Sequence, residues 1–367
     1  MTTAPATLRM LEPFQSPALQ LKNRIVLAPM TRSRAAADGS AVPMMAEYYR
    51  QRATAGLLVA EATSISPEGI GYISIPGIYT QAQVESWRAV TEAVHAEGSR
   101  IFLQLLHGGR IGHRSLSGGI QPVAPSALRP EGITYTQAGP TEFETPRALT
   151  EADIARIVQD YAQAASNALA AGFDGVEIHG ANGYLPNQFL SDVTNHRTDA
   201  YGGSAQNRSR FVLEVVLAVA ETIGWGRTAL RLSPHNYNNG ASHTDPIGTY
   251  EYLIGQLSGQ GLAYLHLMEG DARKVPAGLP LAMAAYFRPA YQGTIIASGG
   301  LTKATAEALL AASTADLVAF GAPFIANPDL PERFRLGAPL AEPDRHTFYT
   351  GGSKGYTDYP SLAQALV

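Results

Sequence analysis

The chain has 367 residues and a mass of 39.0 kDa, and its 27 Lys and Arg residues against 31 Asp and Glu residues give a formal net charge of −4 at pH 7. The composition is 45% hydrophobic and only 16% charged, which provides material for a packed core and excludes a disordered chain. The lack of a basic run argues against a nucleic-acid partner, and the lack of cysteine excludes disulfides, thiolate nucleophiles, cysteine zinc sites and iron–sulfur clusters.

Membrane and export signals are the next feature to consider. No apolar stretch approaches the ~20 residues needed to span a bilayer. Residues 1–11 lack a basic end followed by an apolar run, which is the pattern of a secretory leader. We therefore expect a soluble, cytoplasmic protein that does not bind a membrane.

Apolar runs of strand length alternate with helical segments along the chain. The eight runs are residues 24–28, 57–61, 101–105, 174–178, 229–232, 263–267, 294–297 and 316–320. Segments with a 3.6-residue apolar period lie between them at 83–97, 150–171, 205–223 and 302–312. Ser204 and Thr302 have side-chain oxygens suited to cap the last two helices.

Eight strands alternating with helices predict an α/β protein, a single (β/α)8 TIM barrel that spans residues 1–367 as one domain. A doubly wound open sheet is the alternative. That fold needs a glycine-rich turn after its first strand, and residues 29–34 read PMTRSR instead.

The distance between the third and fourth strands predicts an insertion. Their first residues, 101 and 174, are 73 positions apart, which is more than one helix and two short loops require. The excess lies in residues 107–149, which are rich in Gly and Pro. We expect an extended loop excursion after strand 3, a capping region inserted above the barrel mouth.

Polar residues stand at the carboxyl ends of several predicted strands, where barrel enzymes place their chemistry. Gln104 and Thr31 can donate or accept hydrogen bonds and Arg231 can only donate, a set that suits the heteroatom edge of a flavin ring. For Arg231 a salt bridge to Glu177 is the structural alternative.

The ends of strands 7 and 8 predict a phosphate site. Strand 7 ends in Ser298-Gly299-Gly300 and strand 8 in Gly321-Ala322, each before a helix whose free N–H groups favour an anion. The alternative is that these glycines only turn the chain.

Strand 4 ends in the run HGANGY at residues 179–184. Because the glycines bend the chain, His179 and Asn182 can donate to a carbonyl or nitro oxygen while Tyr184 supplies an acidic O–H. Taken singly, these residues also fit a core histidine, an Asn-Gly turn and a core tyrosine. A zinc site is disfavoured, because His107 and His113 lie on the excursion without ligand spacing, and no metal is expected.

The chain resembles the Old Yellow Enzyme family of FMN-dependent ene-reductases over nearly its whole length. The matching segments are 23–26 (NRIV), 28–32 (APMTR), 71–72 and 76–79 (GY and PGIY), 104–110 (QLLHGGR), 179–184 (HGANGY), 195–211 (NHRTDAYGGSAQNRSRF), 324–330 (FIANPDL) and 355–362 (GYTDYPSL). Thr31, where another branch of the family has Cys, places the chain in the branch that uses Thr.

The resemblance implies a noncovalent FMN that is reduced by NADPH or NADH and reoxidised by an activated alkene in ping-pong fashion. The alkenes would be α,β-unsaturated aldehydes, ketones, maleimides or nitroalkenes. The resemblance also implies that FMN is contacted by ten residues: Pro29, Thr31, Ala62, Gln104, Arg231, Ser298, Gly299, Gly300, Gly321 and Ala322. His179 and Asn182 would hold the substrate oxygen and Tyr184 would be the proton donor. Tyr72, Leu106 and Tyr349 would line the substrate pocket.

The sequence departs from the family pattern at two positions. Leu106 stands where the family commonly has Trp, which implies room for bulkier β-substituents. Ala322 stands where the family commonly has the arginine that pairs with the FMN phosphate. Backbone N–H groups of Gly300, Gly321 and Ala322 are then expected to hold the phosphate, with Lys303 as a second source of positive charge.

Two other functions remain open at this point. A phosphate-binding barrel lyase or aldolase is disfavoured because no lysine stands at a predicted strand end. The other alternative is a flavin-binding protein without significant turnover. The sequence is compatible with a monomer or a homodimer and does not distinguish NADPH from NADH.

Overall fold

Eight parallel strands form a closed barrel in this computed structural model, which describes residues 8–235, 238–270, 275 and 279–365. In chain order the strands are β1 (Ile25–Leu27), β2 (Leu57–Ser64), β3 (Arg100–Leu106), β4 (Gly175–Gly180), β5 (Thr228–Leu232), β6 (Tyr264–Met268), β7 (Ile295–Ser298) and β8 (Leu317–Phe320). Each strand pairs with its neighbours in sequence, and β8 closes on β1. All eight predicted strands are present, and the TIM barrel is confirmed.

The helices surround the barrel. They are α1 (Pro43–Arg52), α2 (Gln81–Ala96), α3 (Glu151–Ala170), α4 (Leu185–Leu190), α5 (Ala205–Ile223), α6 (Pro246–Leu257), α7 (Met283–Phe287), α8 (Lys303–Ala311), α9 (Ala322–Ala326), α10 (Leu330–Leu336) and α11 (Leu362–Ala365). Short 3-10 turns occupy Arg9–Leu11, Pro67–Gly69, Gly109–Ile111, Trp225–Arg227, Asn238–Gly240 and Arg345–Thr347. Among the helices described, none is long and apolar enough to cross a membrane.

Side-chain caps determine where the predicted helices begin. Ser204 accepts from the N–H of Asn207, and Thr302 forms a capping box with Thr305, as expected. Helix α2 begins at Gln81, two residues before the predicted start at Gln83. The reason is a capping box in which Thr80 and Gln83 satisfy each other's backbone N–H groups.

Two apolar layers hold the barrel. Outward side chains such as Val176 and Ile178 pack with the helices in one large buried cluster. Inside the barrel, a second cluster includes Phe102 and Tyr264, and it is closed by the short hairpin Phe14–Gln15 with Gln20–Leu21. This apolar plug fills the amino-terminal half of the barrel, so inward polar groups lie toward the carboxyl ends of the strands.

The insertion after β3 has its own short elements. Val123–Ala124 pairs in parallel with Arg147–Ala148, and Ile133–Thr136 forms an antiparallel hairpin with Gly139–Glu142. Helix α3 begins only after this segment, at Glu151. The predicted excursion after strand 3 is therefore confirmed.

Candidate active site

The inward side chains of β3 to β6 form a buried polar layer above the apolar plug. Glu177 on β4 is level with Gln104 on β3, while His179, Arg231 and His266 are level with one another on β4, β5 and β6. The Nε2 of Gln104 donates to Oε1 of Glu177 at 2.7 Å, and Nδ1 of His266 is 2.8 Å from Oε2. The predicted Gln104 and Arg231 are thus brought to one wall of the barrel.

The charge of Glu177 is balanced by its neighbours. Burial alone would raise the pKa of this carboxyl, but His266, Arg231 and Gln104 outweigh burial and hold the pKa below its ordinary value. The proposed alternative for Arg231, a simple salt bridge to Glu177, is not the observed arrangement. The carboxylate accepts from Gln104 and His266, whereas Nε of Arg231 has no hydrogen-bond partner in the part of the chain that is described.

The turn after β4 carries Asn182 and joins His179 to Tyr184. Asn182 and Gly183 have φ angles of 59° and 79°, values that Asn and Gly tolerate. A side chain on Gly183 would meet the carbonyl oxygen of Asn238 at 2.4 Å, so glycine is required there. The backbone N–H of Asn182 donates to Oγ of Ser233, the residue after β5, at 2.9 Å, which holds the turn against the end of that strand.

His179 and Tyr184 meet across this turn. Their ring centroids are 4.6 Å apart, and the Tyr184 hydroxyl is 3.0 Å from that of Tyr72. Burial, followed by the effect of Tyr72, raises the pKa of Tyr184 well above its ordinary value, so the phenol keeps its proton. Burial and the charge of Arg231 lower the pKa of His179, which is therefore a neutral imidazole at pH 7.

An apolar patch lies beside these two rings. Ala62, Ile75, Leu106 and Tyr184 form a separate buried cluster, against which Tyr72 packs. Leu106 is fully buried, so it contributes to the wall of this patch. Four residues predicted for the cofactor or substrate are therefore in one place.

The exit of β1 is tied to the C-terminal segment. Pro29 is buried and Thr31 is half-buried at this exit. Arg34 donates to the carbonyl oxygens of Phe348 and Thr347, each at 2.8 Å. This clamp holds the segment that carries Tyr349, whose own side chain is 66% exposed.

Of the glycines at the predicted phosphate site, Gly300 after β7 has open space beside it, whereas a Cβ on Gly321 after β8 would lie 3.3 Å from the sulfur of Met30. Gly299 and Gly300 have φ angles of 106° and 67°, and a Cβ on Gly300 would meet no described atom within 4 Å. Ser298 is buried and donates to Leu267, while Gly321 precedes α9 without a side-chain cap. Gly299 and Gly300 are exposed and Gly321 is half-buried, so the backbone is most accessible just after β7.

The two residues considered for phosphate charge are placed differently. Ala322 is exposed at the start of α9, and the next residue, Pro323, has no N–H to offer. Lys303 donates to the carbonyl oxygen of Phe334 at 2.7 Å, so its ammonium is engaged on α10. Among the described residues, no contact joins the Lys303 ammonium to the ends of β7 and β8.

The buried donors of the site fit a flavin. Nε of Arg231 and Nδ1 of His179 have no hydrogen-bond partner among the described residues, although both residues are buried. Buried polar groups normally have partners, so these atoms point to a bound ligand, and because Arg231 can only donate, that ligand needs an acceptor beside Arg231. Gln104 keeps its carbonyl oxygen free to accept from a ring N–H, because its amide nitrogen faces Glu177.

Sequence reasoning missed two parts of this site. The Glu177–His266 pair beside Gln104 was not expected, although alternate inward polar residues on β4 and β6 were a signal of a buried network. The clamp on the C-terminal segment was also missed, in which Nε of Arg32 donates to the carbonyl oxygen of Phe348 at 3.1 Å beside the contact of Arg34. Two arginines shortly after the apolar run 24–28 were its signal, since charged side chains are rarely buried without a partner and Arg32 is only 1% exposed.

The comparisons with known proteins agree with this geometry. Residues 9–341 match the model of the NADH:flavin oxidoreductase / NADH oxidase family. The chain is 44% identical to 12-oxophytodienoate reductase 1 of Oryza sativa subsp. japonica, over 98% of this chain and 95% of the relative.

Solved structures give the same result. An old yellow enzyme homologue from Zymomonas mobilis has a TM-score of 0.93 and 44% identity, covering 96% of this chain and 99% of that chain. Morphinone reductase in complex with tetrahydroNAD has a TM-score of 0.91 and 50% identity, covering 96% and 97%. On these grounds the chain belongs to the Old Yellow Enzyme family and is an FMN-dependent oxidoreductase.

Proposed function

We propose that this chain is an NAD(P)H-dependent ene-reductase that reduces the C=C bond of α,β-unsaturated aldehydes, ketones, maleimides or nitroalkenes. The observation that carries the proposal is the contact of the His179 and Tyr184 rings across the turn that contains Asn182. Gln104 and Arg231 lie on the two strands that pair with β4. The complex of morphinone reductase with tetrahydroNAD supports a nicotinamide as the reductant.

The cofactor-binding roles follow from the donor set. Gln104 and Arg231 would bind the pyrimidine edge of FMN, and the cation would stabilise negative charge at that edge. Thr31 would hydrogen-bond near the C4 carbonyl, and Pro29 and Ala62 would contact the ring. Ser298, Gly299, Gly300, Gly321 and Ala322 would hold the phosphate arm. FMN, when bound, supplies the hydride that the alkene accepts.

The substrate roles belong to the turn after β4. His179 and Asn182 would hold the carbonyl or nitro oxygen, which polarises the conjugated C=C bond and makes its β-carbon electrophilic. The O–H bond of Tyr184 then breaks as its proton forms the new bond to the α-carbon. Water returns a proton to the phenolate, so two hydrogens are added in all.

The pocket would be shaped by residues around Tyr184. Tyr72 holds the Tyr184 hydroxyl at 3.0 Å, and Leu106 forms part of the apolar wall. Because Leu is smaller than the Trp common in the family, bulkier β-substituents should be accepted. Tyr349 would line the outer side of the pocket, on the C-terminal segment that Arg34 holds.

We also propose that residues 107–149 cap the barrel mouth within a single domain. Arg110 from this segment donates to the carbonyl oxygen of Asn239 at 2.7 Å. The amide of Asn239 in turn donates to the carbonyl oxygen of Asn182 at 2.9 Å. The segment is therefore linked through two hydrogen bonds to a proposed substrate-binding residue.

The absorption spectrum of the purified protein tests the proposal. The expected result is a flavin spectrum that bleaches with NADPH or NADH under anaerobic conditions and recovers when cyclohexenone is added. A colourless protein that does not bind added FMN would refute the assignment of this site. If the spectrum bleaches but does not recover with an alkene of any of the four classes, the result would favour a flavin-binding protein without turnover.

A further inference from the structure

Glu177 is a buried carboxylate that the proposed reaction does not use directly. Its side chain is fully buried on β4, and it contacts Gln104 on one side and His266 on the other. Both contacts are short, at 2.7 and 2.8 Å. A buried carboxylate in the barrel interior is costly unless every oxygen has a partner, so its presence requires an explanation.

The first consequence of this contact concerns the orientation of the Gln104 amide. The two ends of a glutamine amide differ, since the nitrogen donates and the oxygen accepts. An ionised carboxylate can only accept, so Glu177 forces the nitrogen of Gln104 toward itself. The amide oxygen is then left as an acceptor, which is the group that a flavin ring N–H requires.

The second consequence concerns the charge next to Arg231. Arg231 and Glu177 lie on neighbouring strands, and the negative carboxylate offsets the positive guanidinium within the same buried layer. Reduction of a flavin adds negative charge, which an uncompensated guanidinium would favour. The carboxylate therefore makes the bound flavin harder to reduce and a stronger hydride donor.

We propose that Glu177 is a positioning residue for the cofactor, which orients the Gln104 amide toward FMN and moderates the field of Arg231. This inference rests on the proposed function, because it takes FMN to lie against Gln104 and Arg231. Glu177 acts through these two residues and does not touch the reacting atoms.

A double-mutant cycle with FMN affinity as the readout tests the orienting role. Glu177→Gln lets the facing amide turn either way, so the dissociation constant of FMN should rise roughly tenfold to 100-fold. In a Gln104→Ala background there is no amide to orient, and the same substitution should change the constant less than about twofold. Equal effects in both backgrounds would mean a merely structural role and would overturn the orienting role.

The midpoint potential of bound FMN tests the charge role. Glu177→Gln should shift it upward by about 30 mV or more, which is a tenfold change in the equilibrium constant of a two-electron couple. Glu177→Asp keeps the charge but withdraws the carboxylate by one methylene, so it should weaken FMN binding without that shift. If Glu177→Gln is poorly folded, the FMN affinity of Glu177→Asp alone tests the proposal. An affinity equal to that of the wild-type protein in Glu177→Asp would overturn it.

Asp329→Asn is the matched control. Asp329 is also a buried carboxylate, held at 2.7 Å by Arg333 on α10, and it has no proposed role in binding FMN. Its loss should leave both FMN affinity and potential unchanged, and a shift equal to that of Glu177→Gln would overturn the inference. If the wild-type protein and Glu177→Gln bind FMN equally well, only this inference is overturned. If the wild-type protein does not bind FMN, the proposed function is overturned as well.

Discussion

Replacing Tyr184 with Phe removes the proposed proton donor while keeping the ring that packs against His179. Tyr184 is only 9% exposed, and its hydroxyl is 3.0 Å from that of Tyr72. Its raised pKa keeps the phenol protonated at neutral pH, as a general acid requires. We expect the variant to reduce cyclohexenone ~10² to 10⁴-fold more slowly, the usual contribution of a placed acid.

The magnitude separates this loss of rate from a loss of stability. A factor of ~10² to 10⁴ corresponds to about 2.7 to 5.4 kcal/mol of activation free energy. The lost hydrogen bond between two hydroxyls should cost only about 0.5 to 1.5 kcal/mol of unfolding free energy. Tyr72→Phe is the matched control, because it removes the other hydroxyl of the same pair. It should lower the free energy of unfolding by a similar amount but slow the reaction less than Tyr184→Phe does.

The assay is rapid mixing of the reduced protein with cyclohexenone and, separately, with a nitroalkene. Hydride addition to a nitroalkene leaves a stabilised nitronate that can take its proton from water, so consumption of this substrate should fall much less. Thermal unfolding of Tyr184→Phe and Tyr72→Phe measures how much each substitution lowers the stability of the fold. Equal rate losses with both substrates, or equal losses in Tyr72→Phe and Tyr184→Phe, would refute Tyr184 as the specific donor.

Three further outcomes are expected. His179→Ala and Asn182→Ala should each weaken phenol binding to the oxidised protein by about 1.5 to 3 kcal/mol while FMN stays bound, and unchanged phenol titrations would remove both from the oxygen-binding role. Ala322→Arg should tighten FMN binding by about 1.5 to 3 kcal/mol in an equilibrium titration, whereas Lys303→Ala should not change it, because Lys303 donates to Phe334. The rate of cyclohexenone reduction should not fall as the pH is raised to about 10, because the raised pKa of Tyr184 moves the loss of its proton to higher pH. Rapid mixing across pH measures this rate, and a fall in rate with a midpoint near neutral pH would contradict the prediction.

Much of the fold and part of the site could be predicted from the sequence because they depend on local patterns. The apolar runs at 174–178 and 229–232 lie within one or two residues of β4 and β5, since a buried parallel strand needs a short continuous apolar run. The HGANGY run likewise predicted that His179 and Tyr184 would meet, because the residues that bend the turn lie between them.

The sequence by itself therefore determined the barrel, the turn after β4 and the polar face at the strand ends. Only the tertiary structure decided that Gln104 and His266, 73 and 89 positions from Glu177, would share its carboxylate, and that Lys303 would bond to α10. The physical reason is that strand periodicity tells which side chains face inward but not which residues become level across strands. That register is set by how the closed barrel packs as a whole.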